Sequence, residues 1–155
     1  MIWEELNPSL ISTNIKAKDF SQVMEEVGTL FIKEGYAKDT YIEALIKREN
    51  EFPTGLDIDG IGVAIPHTDV SHVNKAGIGI GVLEEPVTFL QMGTDDEEVQ
   101  VKLVFMLCIT DPNKHIDELQ RILEIIQDKE VLSKLIEVKN KEEIINIIRR
   151  KESSL

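Results

Sequence analysis

One cysteine in 155 residues excludes an internal disulfide, and a chain of that length does not need one, since a domain of this size buries roughly 70% of the surface its unfolded form exposes. Cys108 stands in VKLVFMLCIT and reads as a small buried hydrophobe of a reducing compartment. No amino-terminal stretch couples basic residues to an apolar core, and the longest apolar run, Leu103 to Ile109, is far too short to span a bilayer. A soluble, cytoplasmic protein is the expectation. Positive charge is scarce. Lys and Arg total 17 against 29 Asp and Glu, a formal net charge of −12, and the basic residues nowhere gather into a phosphate-tracking face. These counts argue against nucleic acid as a partner. Any phosphate chemistry would need identifiable local donors set against an unfavourable global field. No repeat, low-complexity tract or Pro/Gly/Ser-rich linker divides the chain, so residues 1–155 read as one domain.

What is present is a clear order of elements. Phe20, Val23, Met24, Val27 and Phe31 fall on one face at helical spacing, with Gly35 as the stop. A second helix is expected from Thr40, whose side chain would cap it while Glu43 reaches back. It carries Tyr41, Ala44 and Leu45 inward and ends at Phe52-Pro53. Three strands follow: Gly62 to Pro66, Gly77 to Val82, and Val99 to Ile109. In the last, Val99, Val101, Leu103, Phe105, Leu107 and Ile109 alternate first with polar and then with apolar residues, as in a central strand that ends buried on both faces. Asp111-Pro112 opens a third helix with Ile116, Leu119, Ile122, Leu123 and Ile126 as its inward stripe. Two shorter helices close the chain, one around Val131 to Ile136 and one capped by Asn140. Helices before, strands in the middle and helices after predict a three-layer α/β or α+β domain.

The segment GVAIPH, residues 62–67, carries an apolar strand into a proline that cannot donate a ladder hydrogen bond, and so delivers His67 to a strand end. Histidine serves as an unprotonated nucleophile and as a donor near neutral pH, so two of the three histidines, His67, His72 and His115, would be chemically useful together. The plainer reading is a set of exposed loop histidines, above all for His72 in TDVSHVNK. His115 gains interest from lying one turn into the helix that Asp111 caps, at its positive end. It would meet His67 if the strands ending near each were parallel neighbours. Arg48 is a fixed cation with a planar fork of donors, although an arginine in KREN is ordinarily a solvated charge. A metal site is poorly supported. His67 and His72 are not on a helix by this reading, and no cysteine or close carboxylate pair completes a zinc-like set. GIGIGV from Gly77 lies within a strand and lacks the third glycine of a dinucleotide fingerprint, so its glycines are expected to let another element approach the sheet.

Together these residues resemble the enzyme IIA domains of the bacterial phosphoenolpyruvate-dependent sugar phosphotransferase system, in the fructose and mannitol superfamily. GVAIPH is similar to that family's phosphorylation-site signature, supported by YIEALIKREN, EFPTG, VKLVFMLCIT and DPNKHIDELQRI. ALIKRENEFPTG is similar to the galactitol-type branch. The resemblance implies a mixed central sheet of about five strands sandwiched by helices. It implies His67 as the phosphoryl acceptor through Nε2, Arg48 neutralising phosphoryl oxygens, His115 donating to them, and Thr54, more weakly, as a hydroxyl near the loop. The implied donor is the phosphohistidine of the general phosphocarrier protein. The implied acceptor is the cysteine of a cognate enzyme IIB, through which alone a membrane component would be reached. No cofactor or metal is implied. His72 is outside the shared pattern, and Cys108, in an apolar strand, should not be mistaken for the acceptor. Transport of galactitol or a related sugar alcohol is the reading this favours. The alternatives are a regulatory protein of the nitrogen-type class, a fructose- or mannitol-specific enzyme IIA, and an inactive relative.

Overall fold

The computed structural model describes residues 1–155. In chain order the elements are β1 (Leu6–Ile15), α1 (Phe20–Lys33), α2 (Tyr41–Glu51), β2 (Gly55–Ile58), β3 (Ile61–Ala64), β4 (Gly77–Leu90), β5 (Glu98–Cys108), α3 (Pro112–Ile126), α4 (Lys129–Glu137) and α5 (Lys141–Ser153). The five strands form one mixed sheet in the order β1-β4-β5-β3-β2, with β1 parallel to β4, β5 parallel to β3, and the other pairs antiparallel. One apolar core joins the sheet to α3, α4 and α5, through residues such as Phe105, Ile122, Leu135 and Ile148. A second joins it to α1 and α2, through Val23, Phe31, Tyr41 and Met106. The expected sheet between helical layers is therefore the observed one. No helix is long and apolar enough to cross a membrane.

The helix ends follow local chemistry. Asp19, Asp111, Asp128 and Asn140 each accept backbone N–H groups in the first turn of the helix they precede, satisfying donors that a helix start leaves orphaned. Thr40 does not act this way. It precedes α2 without a side-chain cap bond, because its hydroxyl is engaged by His72 Nδ1 at 2.8 Å.

The glycines of GIGIGV do what close approach requires. A Cβ at Gly79 would lie 2.7 Å from the Phe31 ring, and one at Gly81 2.8 Å from Val27, so α1 rests directly on the β4 backbone. The simple alternation expected along β5 breaks at Lys102. Gly62 pairs with Val101 but Val63 with Leu103, so β5 carries one extra residue there. Val99 and Val101 accordingly pack with α1 and α2, whereas Leu103, Phe105 and Leu107 pack with α3 to α5. Ile116 departs from the inward stripe expected of α3. It is 58% exposed, and Ile125 takes the buried position instead.

Candidate active site

β3 runs parallel to β5, so their carboxyl ends reach the same edge of the sheet. From that edge the chain passes through Ile65 and Pro66 to His67, while β5 leads into Asp111 and the start of α3. The ladder outlasts the proline, because the Pro66 carbonyl still accepts from Leu107 N at 3.0 Å. His115 stands one turn into α3, its N–H donating to the Asp111 carbonyl at 3.1 Å. The His67 and His115 rings meet with centroids 4.8 Å apart and planes tilted by 50°. Arg48 comes from the last turn of α2, its guanidinium carbon 5.2 Å from the centre of the Phe52 ring.

His67 Nδ1 lies 3.0 Å from the Ile65 carbonyl oxygen. A carbonyl can only accept, so this contact selects the tautomer with hydrogen on Nδ1 and leaves the Nε2 lone pair free. Burial lowers the His67 pKa to about 4, with smaller lowering from His115 and Arg48 set against the raising effect of the Ile65 contact. The His115 pKa is lowered as well, first by burial and then by Arg48. Two buried side-chain nitrogens lack any protein partner, Arg48 Nε and His115 Nδ1. Unpaired buried polar atoms are costly, and both belong to residues beside His67: the His115 ring is in contact with it and Arg48 is within electrostatic reach of both histidines. The arrangement is thus a neutral nitrogen nucleophile beside one cation and one imidazole with unspent hydrogen-bonding capacity. Such a set suits an anionic group that leaves again.

The other expected residues are placed differently. Thr54 is 4% exposed, and its hydroxyl donates to Glu49 Oε1 at 2.8 Å while accepting from Ile65 N at 3.2 Å. The hydroxyl implied near the loop thus has its one hydrogen engaged by Glu49. Glu49 was not anticipated from the sequence, where it reads as one more charge in KRENE. His72 is held by Thr40 on a short 3-10 turn, Val70–His72. Cys108 is buried, and burial raises its thiol to about 12, which fits an inert core residue. A cavity of about 620 Å³ bordered by Glu5, Lys114, Glu118 and Arg121 includes none of Arg48, His67 and His115. Exposed apolar side chains adjoin two of the three: Phe52, 59% exposed, lies against the Arg48 guanidinium, and Ile116, 58% exposed, follows His115 in the chain.

A family model described as "Phosphoenolpyruvate-dependent sugar phosphotransferase system, EIIA 2" matches residues 4–151. The galactitol-specific EIIA component of Escherichia coli strain K12 is 31% identical over 126 residues, covering 81% of this chain and 83% of that protein. Among solved structures, the nitrogen regulatory protein IIA-Ntr from Neisseria meningitidis superposes with a TM-score of 0.78 at 28% identity, over 95% of this chain and 98% of that one. The mannitol enzyme IIA of Escherichia coli, in its complex with phosphorylated enzyme IIB, superposes with a TM-score of 0.77 at 23% identity, over 93% and 96%. With nearly its whole length matched, the chain belongs to the EIIA 2 family of the phosphoenolpyruvate-dependent sugar phosphotransferase system, whose members are phosphotransferase components carrying a phosphohistidine intermediate.

Proposed function

We propose that residues 1–155 form one enzyme IIA domain, a cytoplasmic carrier that accepts a phosphoryl group on Nε2 of His67 and passes it on in the uptake of galactitol or a related sugar alcohol. The observation that carries this reading is a His67 whose Nδ1 is held by the Ile65 carbonyl, leaving Nε2 its lone pair, beside His115 and within electrostatic reach of Arg48, each of which has a buried nitrogen without a partner. In the first transfer the Nε2 lone pair bonds to phosphorus as the phosphorus–nitrogen bond of the donor phosphohistidine breaks, and that electron pair returns to the donor imidazole. In the second, a thiolate of enzyme IIB bonds to phosphorus and Nε2 regains its lone pair. Arg48 bears on the phosphoryl oxygens and His115 donates to them. Little else is asked of the protein, because phosphoryl transfer rests on positioning and charge stabilisation. The donor is the phosphohistidine of the general phosphocarrier protein.

Exposed apolar surface next to the site supports macromolecular partners. Exposed Phe52 lies against Arg48 and exposed Ile116 follows His115, apolar surface of the kind that a protein partner covers. The likeness to the mannitol enzyme IIA, solved with phosphorylated enzyme IIB, supports enzyme IIB as acceptor. The galactitol-specific relative supports the sugar-alcohol class. A second reading follows from the likeness to the nitrogen regulatory protein, in which phosphorylation would control binding to other proteins. Fructose- or mannitol-specific transport is an alternative that keeps the same relay and changes the sugar.

Intact mass decides among these. The protein is mixed with phosphoenolpyruvate, the first enzyme of the system and the phosphocarrier, with and without a galactitol-type enzyme IIB. One acid-labile phosphoryl group, absent from His67→Asn and lost when enzyme IIB is added, is the expected result. Gain without loss to any sugar-system enzyme IIB would favour the regulatory reading, and no gain would refute both.

A further inference from the structure

We propose that Glu49 is a positioning residue for transfer at His67, acting through the Thr54 hydroxyl and the backbone of Ile65. The inference rests on His67 being the phosphoryl acceptor.

Glu49 is 5% exposed, and both of its carboxylate oxygens are used on Thr54: Oε2 accepts from the backbone N–H at 2.7 Å and Oε1 from the hydroxyl at 2.8 Å. The hydroxyl in turn accepts from Ile65 N at 3.2 Å. Two residues further on, the Ile65 carbonyl holds His67 Nδ1 at 3.0 Å. A continuous path therefore runs from a buried acid on α2 to the nitrogen opposite the nucleophilic one. The Ile65 carbonyl is bracketed on both sides, by Thr54 at the Ile65 N–H and by Leu107 N at the Pro66 oxygen.

The chemistry gives this path a use. As Nε2 gives its lone pair to phosphorus, the ring becomes positive and its Nδ1–H becomes a stronger donor. A carbonyl already aimed at that hydrogen stabilises the charge without having to reorganise. The hydroxyl's bond to a carboxylate is of the strong, charge-assisted kind, and donating it makes the Thr54 oxygen a better acceptor for Ile65 N. Burial raises the Glu49 carboxyl, partly offset by the Thr54 bonds and by Arg48. A carboxylate that only closed the turn from α2 to β2 would need the Thr54 N–H alone. The hydroxyl link reaches beyond that turn to the strand that carries His67.

The hydroxyl link can be cut while the turn bond is kept. Thr54→Val removes the hydroxyl, Thr54→Ser restores it, and Glu49→Gln removes the charge. Two quantities are read on each folded variant: the Nδ1–H to Nε2–H tautomer ratio of His67, from nitrogen-15 shifts of the unphosphorylated protein, and the single-turnover rate of phosphoryl acceptance. Thr54→Val is expected to shift the tautomer ratio and slow acceptance by roughly tenfold to a hundredfold, the scale on which misplacement of a reacting group acts. Thr54→Ser should restore both, and Glu49→Gln combined with Thr54→Val should be no slower than the slower single variant, because both act along one path. Unchanged tautomer ratio and rate in Thr54→Val would overturn the proposal even if Glu49→Gln fails to fold. Should His67→Asn accept the phosphoryl group normally, the assignment of the nucleophile fails instead, a result separate from the tautomer measurement.

Discussion

The depressed pKa of His67 makes its protonation the most direct test of the site. With a midpoint of about 4, the ring is about 97% neutral at about pH 5.5, whereas an ordinary histidine at 6.5 would be about 9% neutral there. The lone pair that the proposed transfer needs is therefore available throughout the neutral and mildly acidic range and is lost only as pH falls through the folded midpoint. A shift from 6.5 to about 4 corresponds to roughly 3 kcal/mol of linkage between protonation and folding. Its sign is fixed by the direction. Between the two midpoints the unfolded chain binds more protons than the folded one, so this contribution is complete above 6.5, declines as pH falls toward 4, and is gone below. Urea unfolding of the wild type and of His67→Asn at about pH 7 and about pH 4.5 isolates it, since carboxylates titrating in both proteins cancel in the difference. The wild type should lose roughly 2 to 3 kcal/mol more than the variant over that interval. Proton NMR of the His67 ring gives the midpoint independently. A midpoint near 6.5, or equal losses of stability in the two proteins, would refute the claim that burial keeps this ring neutral.

Arg48→Met should slow both acceptance and onward transfer by about a hundredfold, the usual scale for losing one group that stabilises transferring charge, and should raise the His67 midpoint because a nearby cation is gone. Mass spectrometry and the same NMR titration check the two parts, and a normal rate in both directions would sink the role given to Arg48. Ile116→Asp, at an exposed position beside His115, should slow transfer from the protein donor while leaving phosphorylation by a small phosphoramidate unchanged, and equal slowing with both donors would show damage to the chemistry instead. Gly62→Ala should destabilise the fold by roughly 1–3 kcal/mol or more, because its Cβ would overlap the Gln100 carbonyl oxygen of β5, a backbone atom with no rotamer to give. Denaturant midpoints measure this, and a loss under about 0.5 kcal/mol, the size of an ordinary surface substitution, would contradict it.

How much of this was legible in the sequence depended on how far each feature was local. The helices and the buried part of β5 could be read because their periods are set by neighbours three, four or two residues away. β1 could not, since Leu6, Leu10, Ile11 and Ile15 follow no fixed alternation, and Pro8 and the left-handed Asn14 are tolerated only at a sheet edge. β2 did carry a signal: Asp59-Gly60, both at positive φ, sits between Ile58 and Ile61 as the tight turn of a hairpin. The bulge at Lys102 depends on how β3 and β4 pair with β5, so the split of the valines from Leu103 to Leu107 between two cores had no local marker. At the site, GVAIPH and Asp111-Pro112 announced His67 and the start of the helix bearing His115. Glu49 went unread because a glutamate near a helix end is nearly always solvated, and only the fold back of Thr54 onto α2 buries it.

The inventory of charge at the site fits transfer better than retention. A group meant to hold phosphate would gather several cations or a cradle of backbone N–H groups, whereas here a chain of net charge −12 sets one arginine and one further histidine of lowered pKa beside His67, the proposed acceptor. The buried carboxylate of Glu49 follows Arg48 directly in the chain and lies within its electrostatic reach, further moderating the positive field. Binding the phosphoryl group tightly on His67 would deepen the intermediate and raise the barrier to the next transfer, since only interactions stronger in the transition state than in the bound state speed a step. The Ile65 carbonyl on Nδ1 gains as the ring becomes positive, so it steadies the charged ring as well as the approach to it, and the sparse cations leave the phosphoryl oxygens lightly held. On the proposed reading the same geometry would serve both directions of transfer, because either partner would meet one nitrogen, one cation and one further imidazole already in place.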